Sequence, residues 1–333
     1  MKRKFYSKAL IAAFAILSTS CIHEYPDSTT PADVTVQFSF ELSAGMPELK
    51  DGYGSPHTLP SDAEYDFRYQ IRAYRQLPTG GYAKDPLHSY CFTKDEVDDL
   101  KYTNKITLRE GNYRILAWVD YVKDGSDADL HYGTENFSRI ELLGEEHTAN
   151  TVAKDVFIGE TAVEAVRYGS SADPVHAVIE LTRPVGRYEL VTTDLKEFRR
   201  QQQSKTSDQP VNLEDFHAVV SYRSYMPDAF NLVNGKPNDA SSGVSYRSTI
   251  VEINEDEALL GFDYLLIPEE TTITISVAFY SNDGTLMADT GSFDIDLKRG
   301  HVTKVVRKYL TGSVGGGLGI DTDFTGDNNI YLN

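Results

Sequence analysis

Apolar and polar residues alternate one by one along several stretches of this chain, a spacing that puts one face of each stretch in a core and the other in water. Val34, Val36, Phe38, Phe40 and Leu42 point one way, while Thr35, Gln37, Ser39 and Glu41 point the other. Phe67, Tyr69, Ile71 and Ala73 alternate with Arg68, Gln70 and Arg72. Ile106 and Leu108 lead through the turn Glu110-Gly111-Asn112 into Tyr113, Ile115, Ala117 and Val119. Further along, Ile273, Ile275, Val277 and Phe279 precede Asn282-Asp283-Gly284, whose residues suit the left-handed φ angles of a tight hairpin turn. Phe293, Ile295 and Leu297 follow, with Asp294, Asp296 and Lys298 facing water. A period of two with one apolar face per strand predicts antiparallel sheets packed as sandwiches. The chain is therefore expected to be all-β.

Helical signals are short. Thr93-x-x-Glu96 could open one or two turns through Leu100, and Asp194-x-x-Glu197 a second stretch through about Gln203. Both read as excursions between strands. A body of roughly 300 residues implies about two domains. Gly169-Ser170-Ser171 interrupts the pattern, so the boundary is set at residue 173, with sandwiches over 34–173 and 174–333. Val175, Ala177, Ile179 and Leu181 then open the second half, and Pro184-Val185-Gly186 bends the chain into Tyr188 and Leu190. The stretches 204–209 and 234–243 read as surface loops, and Gly315 to Gly317 as a flexible one.

The amino end carries an export signal. Lys2, Arg3, Lys4 and Lys8 precede an apolar run from Ala9 to Leu17, too short for a mature membrane span of roughly 20 residues but suited to a signal peptide. The run ends in Leu17-Ser18-Thr19-Ser20-Cys21, a lipobox-like pattern. Residues 1–20 are thus expected to be removed and Cys21 acylated, with 21–33 as a lipidated polar tether. Each buried CH₂ adds about 0.8 kcal/mol, so more than one acyl chain makes a stable anchor. The formal charge is −18, and loss of the four leader cations brings the mature chain to −22. So acidic a chain repels phosphate backbones, and no nucleic-acid partner is expected. Membrane lipid, reached through Cys21, is the expected partner at that end.

No catalytic constellation emerges, and no enzyme activity, cofactor or metal is expected. The eight histidines are scattered, without the spacing of a helical zinc pair. Two acidic loops, Asp124, Asp127 and Asp129, and Asp321, Asp323 and Asp327, could offer oxygens to Ca²⁺ but read as solvated turns. Cys91, left without a disulfide partner, reads as a small buried hydrophobe between Tyr90 and Phe92. Trp118 reads as packed core. Tyr53 and Tyr82, each flanked by glycine, are candidates for a glycan platform, a weak signal beside the strand preference of tyrosine.

Three segments carry a resemblance. Ile106 to Trp118 contains L-x-x-G-x-Y-x-x-x-A-W, Val178 to Asp194 forms a second block, and Leu297 to Val306 leads through Tyr309 to Gly312 and Gly319 to Gly326 into the tail. In order and spacing these resemble the fimbrillin-type pilus subunits of Gram-negative anaerobes. The resemblance implies two tandem transthyretin-like β-sandwiches, a lipoprotein precursor, and assembly with other fimbrial subunits on the outer membrane, with the surface receptor unspecified. In that family stalk subunits lose their first strand to an arginine- or lysine-specific protease and accept a neighbour's strand, whereas anchor subunits keep their lipid. Here the strand-exchange candidate is Val34, Val36, Phe38, Phe40 and Leu42. The next basic residue is Lys50 and the next arginine Arg68, which favours an anchor or accessory subunit. The alternative is a surface glycan-binding lipoprotein working with an outer-membrane importer.

Overall fold

The alternating segments become strands. A computed structural model describes residues 32–43, 64–95, 100–166, 173–205 and 210–311, with backbone alone for 320–321 and 329–332. In chain order the first strands are β1 (Asp33–Leu42), β2 (Tyr65–Arg75), β3 (His88–Lys94), β4 (Tyr102–Arg109), β5 (Gly111–Lys123), β6 (Tyr132–Gly133) and β7 (Ile140–Leu142). Then come β8 (Val156–Ala165), β9 (Val175–Thr182), β10 (Val185–Thr192), helix α1 (Leu195–Lys205), β11 (Phe216–Tyr222), β12 (Met226–Asn231) and β13 (Lys236–Ser241). The last are β14 (Ser245–Thr249), β15 (Val251–Glu252), β16 (Ala258–Leu266), β17 (Glu270–Ser281), β18 (Leu286–Lys298), β19 (Val302–Arg307), β20 (Ile320–Asp321) and β21 (Asn329–Leu332). Among the described residues no helix is long and apolar enough to cross a membrane.

The first sheet runs β3-β2-β5-β8-β9-β1-β4 and folds over on itself. Its hinge is the short β8–β9 ladder, with two partner pairs, Ile158↔Thr182 and Gly159↔Leu181. Gly159 is needed there, because a Cβ would lie 2.4 Å from the Ile179 side chain. Folding brings β1 onto β2, although three strands separate them in the sheet: the Phe40 and Tyr69 rings lie 4.9 Å apart. Val36, Phe38, Ile71, Ile115 and Leu181 share this core. The two edge strands meet at a seam, where the Tyr90 hydroxyl donates to the Thr107 carbonyl.

The second half packs the sheet β15-β16-β10-β19-β21-β20 against β14-β11-β17-β18. Tyr188, Leu190, Leu260, Ile275, Phe279 and Ile295 are among the residues that fill the space between them. All eight residues of β10 and all nine of β16 are buried, because these strands are covered on both faces. Their outer face supplies Val191, Phe262, Tyr264 and Leu266 to a third cluster, which also takes Leu116, Trp118 and Ile158 from the first sheet. A small sheet, β13-β12-β7-β6, joins strands of the two halves. The halves thus share a buried apolar junction.

Several expectations need correcting. Val175–Thr182, placed with the second half in the boundary at 173, hydrogen-bonds β8 and lies parallel to β1, so it belongs to the first sheet. The chain crosses between halves at Arg183-Pro184. Cys91 is exposed. Strict alternation on edge strand β3 turns Tyr90 and Phe92 toward the core and the cysteine outward. Desolvation still pushes its thiol pKa up against the pull of Arg68, so it is no activated thiolate. Thr93 and Lys94 lie in β3, and residues 96–99 of that expected helix lie outside the described residues. Leu195–Lys205 is helical as expected, with Leu195 and Phe198 its buried residues. In the 282–284 turn it is Gly284 that takes a left-handed φ, +88°.

Candidate functional site

The seat of β1 answers most directly to the sequence reading. The strand lies between β4, antiparallel from Asp33↔Arg109 to Phe40↔Tyr102, and β9, parallel from Val36↔Val175 to Leu42↔Leu181. Its main chain is therefore paired along both edges, and it is an interior strand of its own sheet. Backbone bonds fix its ends: Glu110 N–H donates to Ala32 O at 2.8 Å, and Ser43 N–H to Leu181 O at 3.0 Å. Val34, Val36, Phe38 and Phe40 are buried, the middle two completely. Leu42 departs from the expected inward set at 41% exposure. Pairing with β4 stops at Phe40, so Leu42 lies beyond that ladder. Ile106 and Leu108 of β4, Ile179 and Leu181 of β9, and Tyr69 of β2 belong to the same core. Such a seat accepts an extended segment with apolar side chains at every second position.

The junction between the halves holds buried charge. Asp263 of β16 accepts from Lys154 Nζ at 2.5 Å and from the Tyr222 hydroxyl at 2.7 Å, and lies 2.5 Å from His147 Nε2. Burial alone would raise its pKa, but Lys154 and His147 hold it below the ordinary carboxylate value. The Tyr222 hydroxyl in turn lies 2.9 Å from that of Tyr188, which lies 3.0 Å from that of Tyr246. Asn150, at φ 57°, clasps the bulged strand β16: its side chain accepts from Phe262 N–H at 2.9 Å, and its own N–H donates to Phe262 O at 3.0 Å. These groups share protons and charge across the junction.

A cavity of about 800 Å³ opens beside this network, between the 142–149 loop and strands β11 and β14. Glu145, Glu146, Asp228 and Arg247 give it a polar lining, and Tyr246 is its one tyrosine among the described residues. It offers no platform of coplanar aromatics.

His131, just before β6, makes the junction acid-sensitive. Burial, reinforced by Lys154 and Lys123, pushes its pKa down to about 4. An unfolded histidine titrates near 6.5. As the pH falls through 6.5 the unfolded chain gains this proton first, so stability declines down to about pH 4 and levels off below. The total is on the order of 3 kcal/mol, from about 2.5 pKa units at 1.36 kcal/mol each. His131→Gln is expected to flatten urea-unfolding stability between pH 7 and 4.5, and an unchanged pH slope would remove His131 as the cause.

Other sequence candidates scatter. Cys21, Tyr53, Asp323 and Asp327 lie outside the described residues, and only the backbone of Asp321 is described. Tyr82 is 41% exposed at a loop tip. Asp129 is held by Arg68 Nη1 at 2.7 Å, the same guanidinium that grips Asp120 through two bonds of 2.9 and 2.7 Å. Sequence reasoning missed the Asp263 network, because Lys154 and His147 carry no pattern that separates them from surface residues.

Residues 28–332 match the sequence pattern of a family of unknown function, DUF6562. The chain belongs to this family. No curated protein matches this DUF6562 chain. Among solved structures, it is similar to a candidate polysaccharide-binding protein from Bacteroides thetaiotaomicron, at 12% identity and a TM-score of 0.43, over 78% of this chain and 79% of that one. It is also similar to the fimbrial anchor protein Mfa2 from Porphyromonas gingivalis, at 14% identity and a TM-score of 0.40, over 78% and 82%. A third likeness is to a candidate cell adhesion protein from Bacteroides eggerthii, at 11% identity and a TM-score of 0.43, over 86% and 90%.

Proposed function

We propose that this DUF6562 chain is a non-enzymatic cell-surface adhesion or fimbrial-assembly lipoprotein, an anchor or accessory subunit held in the outer membrane through acylated Cys21. The observation that carries the reading is the seat of β1. A long alternating strand follows directly on the polar tether and fills a strand-shaped apolar slot between β4 and β9. Strand addition works by satisfying unpaired main-chain groups and filling alternate side-chain pockets, and β1 does both here, pairing with β4 and β9 and burying alternate side chains. A subunit that keeps its first strand caps its own slot and so suits the end of a fibre. No arginine lies between β1 and Arg68, and Lys50 is the one lysine there, which argues against an arginine cut that would release the strand. The three sequence blocks that resemble fimbrillin-type subunits support the same reading.

One observation favours the runner-up, a glycan binder. His88, Tyr90 and Phe92 of edge strand β3 stack in a row, with interplanar angles of 14° and 7°. The rings are half-buried, and the Tyr90 hydroxyl is already bonded to Thr107, so they present little face to a sugar.

The anchor is tested by Cys21→Ser. The variant is expected to leave the membrane fraction and appear in the aqueous phase after detergent partition. If it stays with the membranes as the wild type does, the lipoprotein reading fails.

A further inference from the structure

Three neighbouring strands of the first sheet end at one margin, and each delivers an aspartate there. Asp66 is the second residue of β2, opposite Val122 of β5, while the adjacent Phe67 faces Lys94 of β3. Because β3 and β5 both run antiparallel to β2, Asp95 just past β3 and Asp124 just past β5 emerge beside Asp66. One carboxylate oxygen from each lies within 4.8 Å of the other two. Oxygens on one Ca²⁺ sphere, at 2.3–2.6 Å from the ion, are separated by at most about 5 Å, so the three can share one.

The second observation is the state of Asp66. It is 5% exposed, its Oδ2 accepts from Gly125 N–H at 3.0 Å, and its Oδ1 is buried without a hydrogen-bond partner. A buried, unpartnered carboxylate oxygen is costly unless a ligand meets it. Arg68, two residues further along the same strand face, cannot serve, since Asp120 and Asp129 take its charge. Among the described residues no ion pair joins Asp66, Asp95 or Asp124 to a cation. The acidic loop singled out in the sequence thus divides: Asp129 and the Asp127 carbonyl turn to Arg68, and Asp124 turns to the other cluster.

We propose that Asp66, Asp95 and Asp124 bind a calcium ion that staples the ends of β2, β3 and β5, with water completing its shell. The donors are all oxygen, which suits Ca²⁺ and not Zn²⁺. Asp95 and Asp124 are exposed, which gives the ion a way in and leaves the shell adaptable. Mg²⁺ demands a tighter octahedron and sheds its water reluctantly. Sites of this kind in extracellular modules bind at about 10⁻⁴–10⁻³ M.

The test uses the full chain in detergent, stripped with EGTA and titrated with CaCl₂ or MgCl₂ by calorimetry and thermal unfolding. Ca²⁺ is expected to raise Tm saturably, and Mg²⁺ to raise it less. Asp95→Asn and Asp124→Asn, both at exposed positions, are expected to fold and to bind Ca²⁺ at least tenfold more weakly. Asp127→Asn, which alters no side chain of the set, is expected to bind as the wild type does. A wild type that does not respond to Ca²⁺, or a response that survives in both Asp95→Asn and Asp124→Asn, overturns the site.

Discussion

Aspartate at Phe38 is expected to abolish folding of the first half. Phe38 is fully buried in the core that β1 shares with β2, β4, β5 and β9. Loss of its ring costs about 3–5 kcal/mol, and burial of an unpaired carboxylate adds several more. Together these match the roughly 5–15 kcal/mol by which a whole domain is stable. Aspartate at Gln37 or Ser39 falls on the opposite face, where both side chains are half-buried, and is expected to cost under about 1 kcal/mol. Near-ultraviolet circular dichroism and urea unfolding of the three variants check the register, and equal losses on both faces would contradict it. Among the variants that remain stable, unchanged co-purification with other surface subunits would leave β1 as an ordinary member of its sheet.

Replacing Trp118 with alanine is expected to destabilise the protein by about 3–5 kcal/mol, and to loosen the two halves from each other. The ring is fully buried and meets Tyr132 edge-on, with centroids 5.3 Å apart and planes at 76°. Its cluster also holds Phe230, Phe262 and Leu266 from the second half, so the cavity opens at the junction and not within one sandwich. Urea unfolding followed by circular dichroism is expected to shift to lower urea and broaden or split, as the halves lose their common core. Since Trp118 is the chain's one tryptophan, its own fluorescence cannot be the probe. A loss below about 1 kcal/mol would place the ring at the surface and revive the glycan reading.

What the sequence revealed depended on where each strand sits. β1, β17 and β18 have one face in a core and the other against solvent or a half-wet surface, so their alternation could be read directly; on β2 and β5 the inward set alternates too, but much of the opposite face is also buried. β16 is buried on both faces and appears as a run, Ala258 to Leu266, in which periodicity is silent. The junction escaped notice for the same reason. Leu116 and Trp118 occupy the face opposite Ile115, Ala117 and Val119; Trp118 is packed core as expected, but nothing in the alternation shows that a second sheet covers that face. The assignment of β9 failed because a serine-glycine interruption marks a loop, not which sheet the next strand joins. Long-range pairing, here between residues 36–42 and 175–181, leaves no local trace. Of the candidate site, the inward set was legible except at Leu42, where the strand outlasts its partner on one side. The Asp66, Asp95 and Asp124 cluster draws on three separated segments and becomes visible only once β2, β3 and β5 are aligned.

Surface display in association with fibres is best tested by immunogold electron microscopy of intact cells. Antibody to the mature chain is expected to label unpermeabilised cells, with gold concentrated where fibres meet the outer membrane, and Cys21→Ser cells are expected to lose that label. Gold that appears only after the outer membrane is opened, or that covers the surface without regard to fibres, would contradict the claim.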